Sequence, residues 1–291
     1  MSKNPLVIYH SADLDGKCSA AVTLTYLNEP ADLYPINYGQ DFDWEMVKDR
    51  PVVIMVDFCL QPFSDMIKLH DLVGQNSLIW IDHHKTAIDE YDKYMVNQKA
   101  HWHGLREIGR AGCELAWERF FPALHVPLAV KYLGQYDVWC HEDKNTLAFQ
   151  YGMRTVGDCL PDSPIWDLLF EGDEALIDEF IATGGIVLKY ERQQNEIYAK
   201  SRSFPTSING LRAIACNRGL CNSTFFDSVW DPEKHDLMLA FCLTPKGHWK
   251  VQLYTGKPDV DVSVIAKNYG GGGHRGAAGF ECDELPFELQ F

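Results

Sequence analysis

Over its first eighty residues the chain alternates between two kinds of segment, and that alternation limits its fold more than any other feature. Four short apolar runs, at 6–9, 33–36, 52–56 and 78–81, are separated by stretches at about 16–28, 43–49 and 62–73. In those stretches apolar residues recur every three or four positions, as on one face of a helix. Strand and helix alternating in this way predict a parallel, doubly wound sheet. The runs are apolar throughout rather than at every second residue, which predicts a sheet covered on both faces. Helices are expected at about 113–121 and 126–136, and two more between 164 and 203, broken at Thr183-Gly184-Gly185. After Phe204-Pro205 the texture changes. Segments 236–243 and 249–254 read as strands joined by a tight turn at Pro245-Lys246-Gly247, and a short helix at about 261–268 follows. The expected organisation is an α/β chain: a parallel, doubly wound sheet domain at 1–190, a helical linker at 191–204 and a smaller mixed α/β domain at 205–291.

The acidic and histidine residues fall where such a sheet would present them. His10 follows the first apolar run, Asp57 the third and Asp82 the fourth. In a parallel sheet the carboxyl ends of the strands form one rim, and ligands bind there. The loop His10-Ser11-Ala12-Asp13-Leu14-Asp15-Gly16 adds Asp13 and Asp15 to that rim. One aspartate would serve to cap the following helix, which leaves the other and His10 without a structural reason. The fourth run ends in Asp82-His83-His84, where Asp82 can fix the orientation of an imidazole. Asp137 follows a helix-like run and, by itself, reads as a helix-end residue. Crowded carboxylates repel one another unless cations lie between them. Aspartate and histidine without cysteine suit Mn²⁺, with Mg²⁺ also admissible, better than a structural zinc. Two such ions roughly 3.5–4 Å apart could clamp the attacking and leaving oxygens of a phosphoryl displacement.

A second cluster lies near the end, in Tyr269-Gly270-Gly271-Gly272-Gly273-His274-Arg275-Gly276. Glycines allow close backbone approach to an anion, and Arg275 suits bidentate phosphate contact. Gly272, Gly273, His274 and Arg275 are therefore candidate substrate ligands; the plainer reading is a turn before a last strand. Arg110, ahead of the helix at 113, could meet a phosphate at a helix N-terminus, or could be an ordinary solvated arginine. His101 and His103 around Trp102 read as loop, and Tyr136 and Trp139 beside Asp137 as packing. His70, His125, His141, His235 and His248 receive no role.

Composition narrows the partners. The net charge is −15, from 26 Lys+Arg against 41 Asp+Glu, and no basic stripe is visible. Long nucleic acid is held by such stripes, so a small phosphorylated substrate or a short single-stranded oligonucleotide is expected, and long duplex is not. No apolar stretch approaches the ~20 residues of a membrane span, and the start Met1-Ser2-Lys3-Asn4-Pro5 does not read as a signal peptide. Nine scattered cysteines without a CxxC pair argue against a disulfide framework. A cytoplasmic protein with no membrane partner is expected, its state left open between monomer and homodimer.

Taken in order, these residues resemble the DHH phosphoesterase superfamily. His10-x-x-Asp13-x-Asp15-Gly16 is similar to its first motif, Val56-Asp57 to the second, Asp82-His83-His84 to the naming motif and Asp137 to the fourth. The run Gly271-Gly272-Gly273-His274-Arg275 resembles the signature of the DHH-associated C-terminal domain. The resemblance implies a catalytic domain facing a substrate-binding domain across a cleft. It implies that His10, Asp13, Asp15, Asp57, His83 and Asp137 hold two Mn²⁺ ions, with Asp57 between them. His84 would face the scissile phosphate, beside Asp82, and Gly273, His274 and Arg275 would grip it from the other domain. Expected activities are hydrolysis of short oligonucleotides or small nucleotide phosphoesters, with inorganic polyphosphate or pyrophosphate as the rival substrate. A sensor that binds nucleotides without turnover is the alternative of another class. One departure from the oligonucleotide/pAp branch is the spacing of two, rather than three, residues between His10 and Asp13.

Overall fold

The computed structural model describes residues 3–74, 76–96, 98, 101–140, 142–157 and 159–289; His141 lies outside them. The chain divides into two compact units, Met1–Leu188 and Lys189–Phe291.

The first unit opens with β1 (Leu6–His10), α1 (Leu14–Leu27), β2 (Asp32–Ile36), β3 (Val53–Val56), α2 (Phe63–Val73), β4 (Leu78–Ile81) and α3 (Lys85–Met95). The strands lie in the order β2-β1-β3-β4 and every pairing is parallel. Alternate strand residues feed two separate cores. Val7, Tyr9, Ile54, Val56 and Ile81 pack with Leu14, Cys18 and Val22 of α1. Leu6, Ile8, Val53, Met55, Leu78 and Trp80 pack with α2 and α3 through Met66, Leu69 and Tyr91. Both faces are therefore covered, which is why the strands read as unbroken apolar runs; each buried aliphatic side chain contributes about 1.5–3 kcal/mol. Beyond β4 the chain returns along the sheet edge: Trp80 N donates to His103 O at 2.9 Å and Asp82 N to Leu105 O at 3.1 Å. That segment satisfies an edge which would otherwise be open.

The helix expected at 43–49 is instead a series of turns. Asp43 Oδ1 accepts the N–H of Glu45 at 3.0 Å, and Asp49 sits at φ 55°. A local side-chain bond at the start and a left-handed residue at the end both compete with helix. Val47 still reaches the core, so the apolar spacing was real although the helix was not.

The helices that follow are α4 (Gly112–Phe120), α5 (Leu128–Asp137), α6 (Thr146–Met153), α7 (Ile165–Glu171) and α8 (Glu174–Arg202), the last of which continues past Leu188. The break expected at Thr183-Gly184-Gly185 is absent, since α8 runs straight through it. The interruption falls earlier, at Gly172, which ends α7 at φ 81° as a left-handed cap. Gly184 has a packing role: a Cβ there would lie 1.7 Å from Ala148 O and 2.4 Å from Gly152 N, both in α6. A glycine that looks like a helix breaker is here the contact that lets two helices touch.

The second unit contains β5 (Phe204–Ile208), β6 (Leu211–Asn217), β7 (Leu237–Leu243), β8 (Trp249–Tyr254), α9 (Val262–Asn268), β9 (Gly272–Gly273) and β10 (Ala277–Cys282). Its sheet order is β5-β6-β7-β8-β10-β9, parallel between β6 and β7 and antiparallel elsewhere. One face packs on α9 through Leu239, Phe241, Leu253 and Ile265. The other carries Ile214, Cys216, Met238 and Ala240 against Ala199 of α8, Phe225 and Phe226. This is the mixed α/β unit that the sequence predicts. Among the described residues no helix is long and apolar enough to cross a membrane.

Candidate metal centre

The sheet order places the topological switch point between β1 and β3, because the chain leaves β1 toward β2 on one side and reaches β3 on the other. His10 ends β1 and Asp57 follows β3, so both stand at the crevice where open α/β sheets bind ligands. Asp57 N donates to Ile81 O at 2.9 Å, and its φ of 53° turns the side chain back over the strand ends. A left-handed, non-glycine residue costs roughly 1–3 kcal/mol and persists only where its surroundings fix it.

Asp57 is buried, and its two oxygens face different histidines. Oδ2 lies 3.6 Å from His10 Nδ1, while Oδ1 lies 3.1 Å from His83 Nε2. On the His10 side Asp13 Oδ2 approaches His10 Nδ1 at 3.1 Å, and Asp13 Oδ1 caps α1 by accepting from Gly16 N at 3.0 Å. Capping and site geometry are thus combined in one aspartate. On the His83 side Asp15 Oδ2 and Asp137 Oδ2 lie 3.5 and 3.3 Å from His83 Nε2. Two groups result, His10/Asp13/Asp57 and Asp15/His83/Asp137, each with one ligand atom per residue within 4.8 Å of the others.

The donor chemistry fits divalent cations. His10 Nδ1, Asp57 Oδ1 and Asp137 Oδ2 are buried and make no hydrogen bond within the described residues, although they face partners at 3.1–3.3 Å. Such atoms are costly without a cation or a proton between them. Burial, reinforced by Asp57 and Asp137, holds the Asp15 carboxyl well above the usual carboxylate range. Burial likewise pushes Asp137 up to about 6, against the pull of His83. For Asp57 burial acts upward too, but His10 and His83 outweigh it and hold the group below its ordinary value. Burial lowers His10, yet Asp13 and Asp57 prevail and push it up to about 11. His83 is raised in the same way, its desolvation outweighed by Asp137, Asp57 and Asp15.

Asp82 belongs to neither group but forms a further cluster with Asp57 and His84, with one ligand atom of each within 4.8 Å of the others. It is fully buried, and its Oδ1 accepts from His83 N at 2.8 Å, His84 N at 3.2 Å and His84 Nδ1 at 2.7 Å. Its carboxylate organises the histidine pair. Burial draws the His84 imidazole down, but Asp82 outweighs it and the net shift is upward.

Two contributions escaped the sequence reading. The first is Asn37, directly after β2, whose Oδ1 accepts from His10 Nε2 at 3.1 Å and from Tyr38 N at 2.8 Å. That bond places the proton on Nε2 and leaves Nδ1 as the ligand atom. The second is the N-terminus of α4: Gly112 N and Cys113 N donate to the two oxygens of Asp15 at 2.8 and 2.7 Å. A Cβ at Gly112 would lie 2.8 Å from Asp57 Cβ, so a side chain there would displace the site. Arg110, two residues earlier, is engaged with Glu118 at 2.5 Å and Glu107 at 3.6 Å.

In the second unit Gly272 and Gly273 form β9, and Arg275 is exposed in the hairpin to β10. The amides of Gly270, Gly271 and His274 donate to Lys267 O, Ala266 O and Ala277 O. Much of the glycine run therefore closes α9 and starts a hairpin. A Cβ at Gly271 would lie 2.1 Å from Gly279 O.

Residues 5–134 match the family model described as the DHH family, N-terminal domain. An uncharacterized protein of Acanthamoeba polyphaga mimivirus is 27% identical over 97% of this chain and 69% of its own length. Among solved structures, the DHH domain of a protein described as a member of a family of ribosomal proteins superposes with a TM-score of 0.60. It shares 14% identity, over 97% of this chain and 83% of that one. RecJ from Thermus thermophilus, solved in complex with Mn²⁺, is similar at a TM-score of 0.49 and 15% identity, over 97% of this chain and 50% of its own. Residues 5–134 are thus identified with the N-terminal domain of the DHH family, and the whole chain shares the fold of DHH-domain structures.

Proposed function

We infer that the protein is a Mn²⁺- or Mg²⁺-dependent phosphoesterase acting in the cytoplasm on a small nucleotide phosphoester or a short single-stranded oligonucleotide. The observation that carries this reading is the division of Asp57 between His10 and His83. One carboxylate facing two ligand groups could contribute an oxygen to each of two cations. His10 and Asp13 would complete one coordination set, and Asp15, His83 and Asp137 the other. These residues would hold two divalent ions, whose chemistry there would be activation of a water and neutralisation of charge on the phosphoryl oxygens.

The chain's own residues do the rest. The α4 amides hold Asp15 in place, and Asn37 fixes the tautomer of His10. Asp82 turns His84 so that its Nε2 is directed away from the Asp82 contact and can donate to a phosphate oxygen as charge develops. In the second unit His274 and Arg275, with Gly272 and Gly273, are the proposed phosphate-binding residues. Arg110 is not given that role, because Glu118 and Glu107 already engage it.

The test is incubation of purified protein and Mn²⁺ with pAp, a dinucleotide, a 5-mer RNA, a cyclic dinucleotide and tripolyphosphate. Products are resolved by chromatography. Turnover of a nucleotide substrate that is lost on chelation supports the reading. Turnover of tripolyphosphate alone would assign an inorganic substrate, and binding without turnover would make the protein a sensor.

A further inference from the structure

Beside the His10 edge of the centre the first unit holds a cavity of about 250 Å³, walled by the chain after β2 and the chain after β3. Four rings line it: Tyr38, Phe42, Trp44 and Phe58. Side-chain amides alternate with them, from Asn37, Gln40 and Gln61. None of the candidate metal ligands lines the cavity, but residues that do line it touch the centre. Asn37 both lines it and accepts from His10 Nε2. The Tyr38 ring lies 5.4 Å from that of His10 and 5.9 Å from that of His84, and Phe58 is the residue next to Asp57.

The lining chemistry selects an occupant. Its charged members are Asp41 and Asp65, and none of the described residues lining it is lysine or arginine. Lys68 Nζ sits over the Trp44 ring at 3.6 Å, so the immediate surroundings carry two carboxylates against one ammonium and give a phosphate or polyphosphate chain no net attraction. A flat, uncharged ring that donates and accepts hydrogen bonds would be held. Aromatic faces stack on bases irrespective of sequence, and asparagine and glutamine amides match the donor–acceptor edge of a base. Gln40 Oε1 accepts from Asn37 N at 2.9 Å, which leaves the amide hydrogens of Gln40 for a ring nitrogen or carbonyl.

We propose that this cavity is a nucleobase subsite, taking the base of a nucleotide whose phosphate lies at His10, His83 and His84. The proposal rests on the phosphoesterase reading and deepens it, since an inorganic polyphosphate has nothing to place there.

The experiment is isothermal titration of the full-length protein with Mn²⁺ and two non-hydrolysable ligands. One is the 5′-methylenephosphonate analogue of AMP, and the other is methylenediphosphonate. Wild type, Trp44→Ala and Gln40→Ala are compared. The expected result is a loss of affinity for the nucleotide analogue relative to methylenediphosphonate, ~10-fold for Trp44→Ala and severalfold for Gln40→Ala. Gln40 is exposed, so its removal keeps the test meaningful if Trp44→Ala fails to fold. An unchanged affinity ratio in Gln40→Ala and in any folded Trp44→Ala protein overturns the subsite, as does a wild type that ignores the nucleotide analogue. Selective binding without turnover of any phosphoester keeps the subsite and removes the phosphoesterase reading. Turnover of a nucleotide phosphoester with an affinity ratio unchanged in the variants removes the subsite and keeps the phosphoesterase reading.

Discussion

Asp82 and His84 form a fixed pair: Oδ1 of the buried aspartate lies 2.7 Å from Nδ1 of the imidazole while accepting the N–H groups of both His83 and His84. One oxygen atom thus sets the backbone and the side chain of the residue proposed to face the phosphate. Asp82→Asn keeps an acceptor for the two amides but removes the charge that raises the His84 pKa. We expect kcat to fall roughly 10- to 100-fold, the usual effect of losing such a supporting carboxylate. The alkaline limb of the kcat/KM–pH profile should move to lower pH, because His84 then loses its proton more readily. An unchanged profile would leave Asp82 with a folding role only.

Metal binding should release protons. In the metal-free protein His10 keeps its proton until about pH 11, whereas a ligating imidazole must be neutral. Mn²⁺ titrations at pH 7 in buffers of different ionisation enthalpy should therefore give different apparent heats. The same shift fixes a sign for stability without metal. The folded pKa of His10 is raised above the ordinary value of about 6.5. Its contribution is fully present below pH 6.5 and is lost as pH rises toward 11. Chelated protein should accordingly melt at lower temperature at pH 9 than at pH 6.5, as read by circular dichroism.

The two adjacent glycines of α8 should behave in opposite ways. Gly184→Ala drives a Cβ into Ala148 O, and we expect a loss of about 1–3 kcal/mol or more from overpacking. A methyl group on Gly185 would meet nothing within 4 Å. Gly185→Ala should therefore stabilise by up to about 1 kcal/mol through helix propensity. Urea denaturation of the two variants measures the difference, and equal effects would refute the packing account of Gly184.

What could be read from the sequence follows the same physics. The ends of apolar runs mark strand ends, so His10, Asp57 and Asp82 were visible as rim residues, and the parallel sheet with them. Asn37 obeys the same rule after the second run, but as a lone amide in a polar segment it carried no chemical signal. The bonds from α4 to Asp15 join residues 97 and 98 positions apart, and no local pattern encodes such a meeting. Gly184 was read as a breaker because sequence shows its missing side chain and not the neighbouring helix that requires it. Residues 43–49 carried helical spacing, yet Asp43 and Asp49 favoured turns.

The central claim is that Asp57 would serve two cation sites at once, and the count of Mn²⁺ ions bound per chain tests it most directly. Isothermal titration of wild type and Asp57→Asn should give two ions for the former and at most one, weakly held, for the latter. Binding at a hundredfold excess over Kd stabilises by about 2.7 kcal/mol, so wild-type Tm should rise by roughly 5–10 °C and that of the variant by much less. A wild type that binds fewer than two ions, or an Asp57→Asn protein that still binds two with unchanged affinity, would contradict the account.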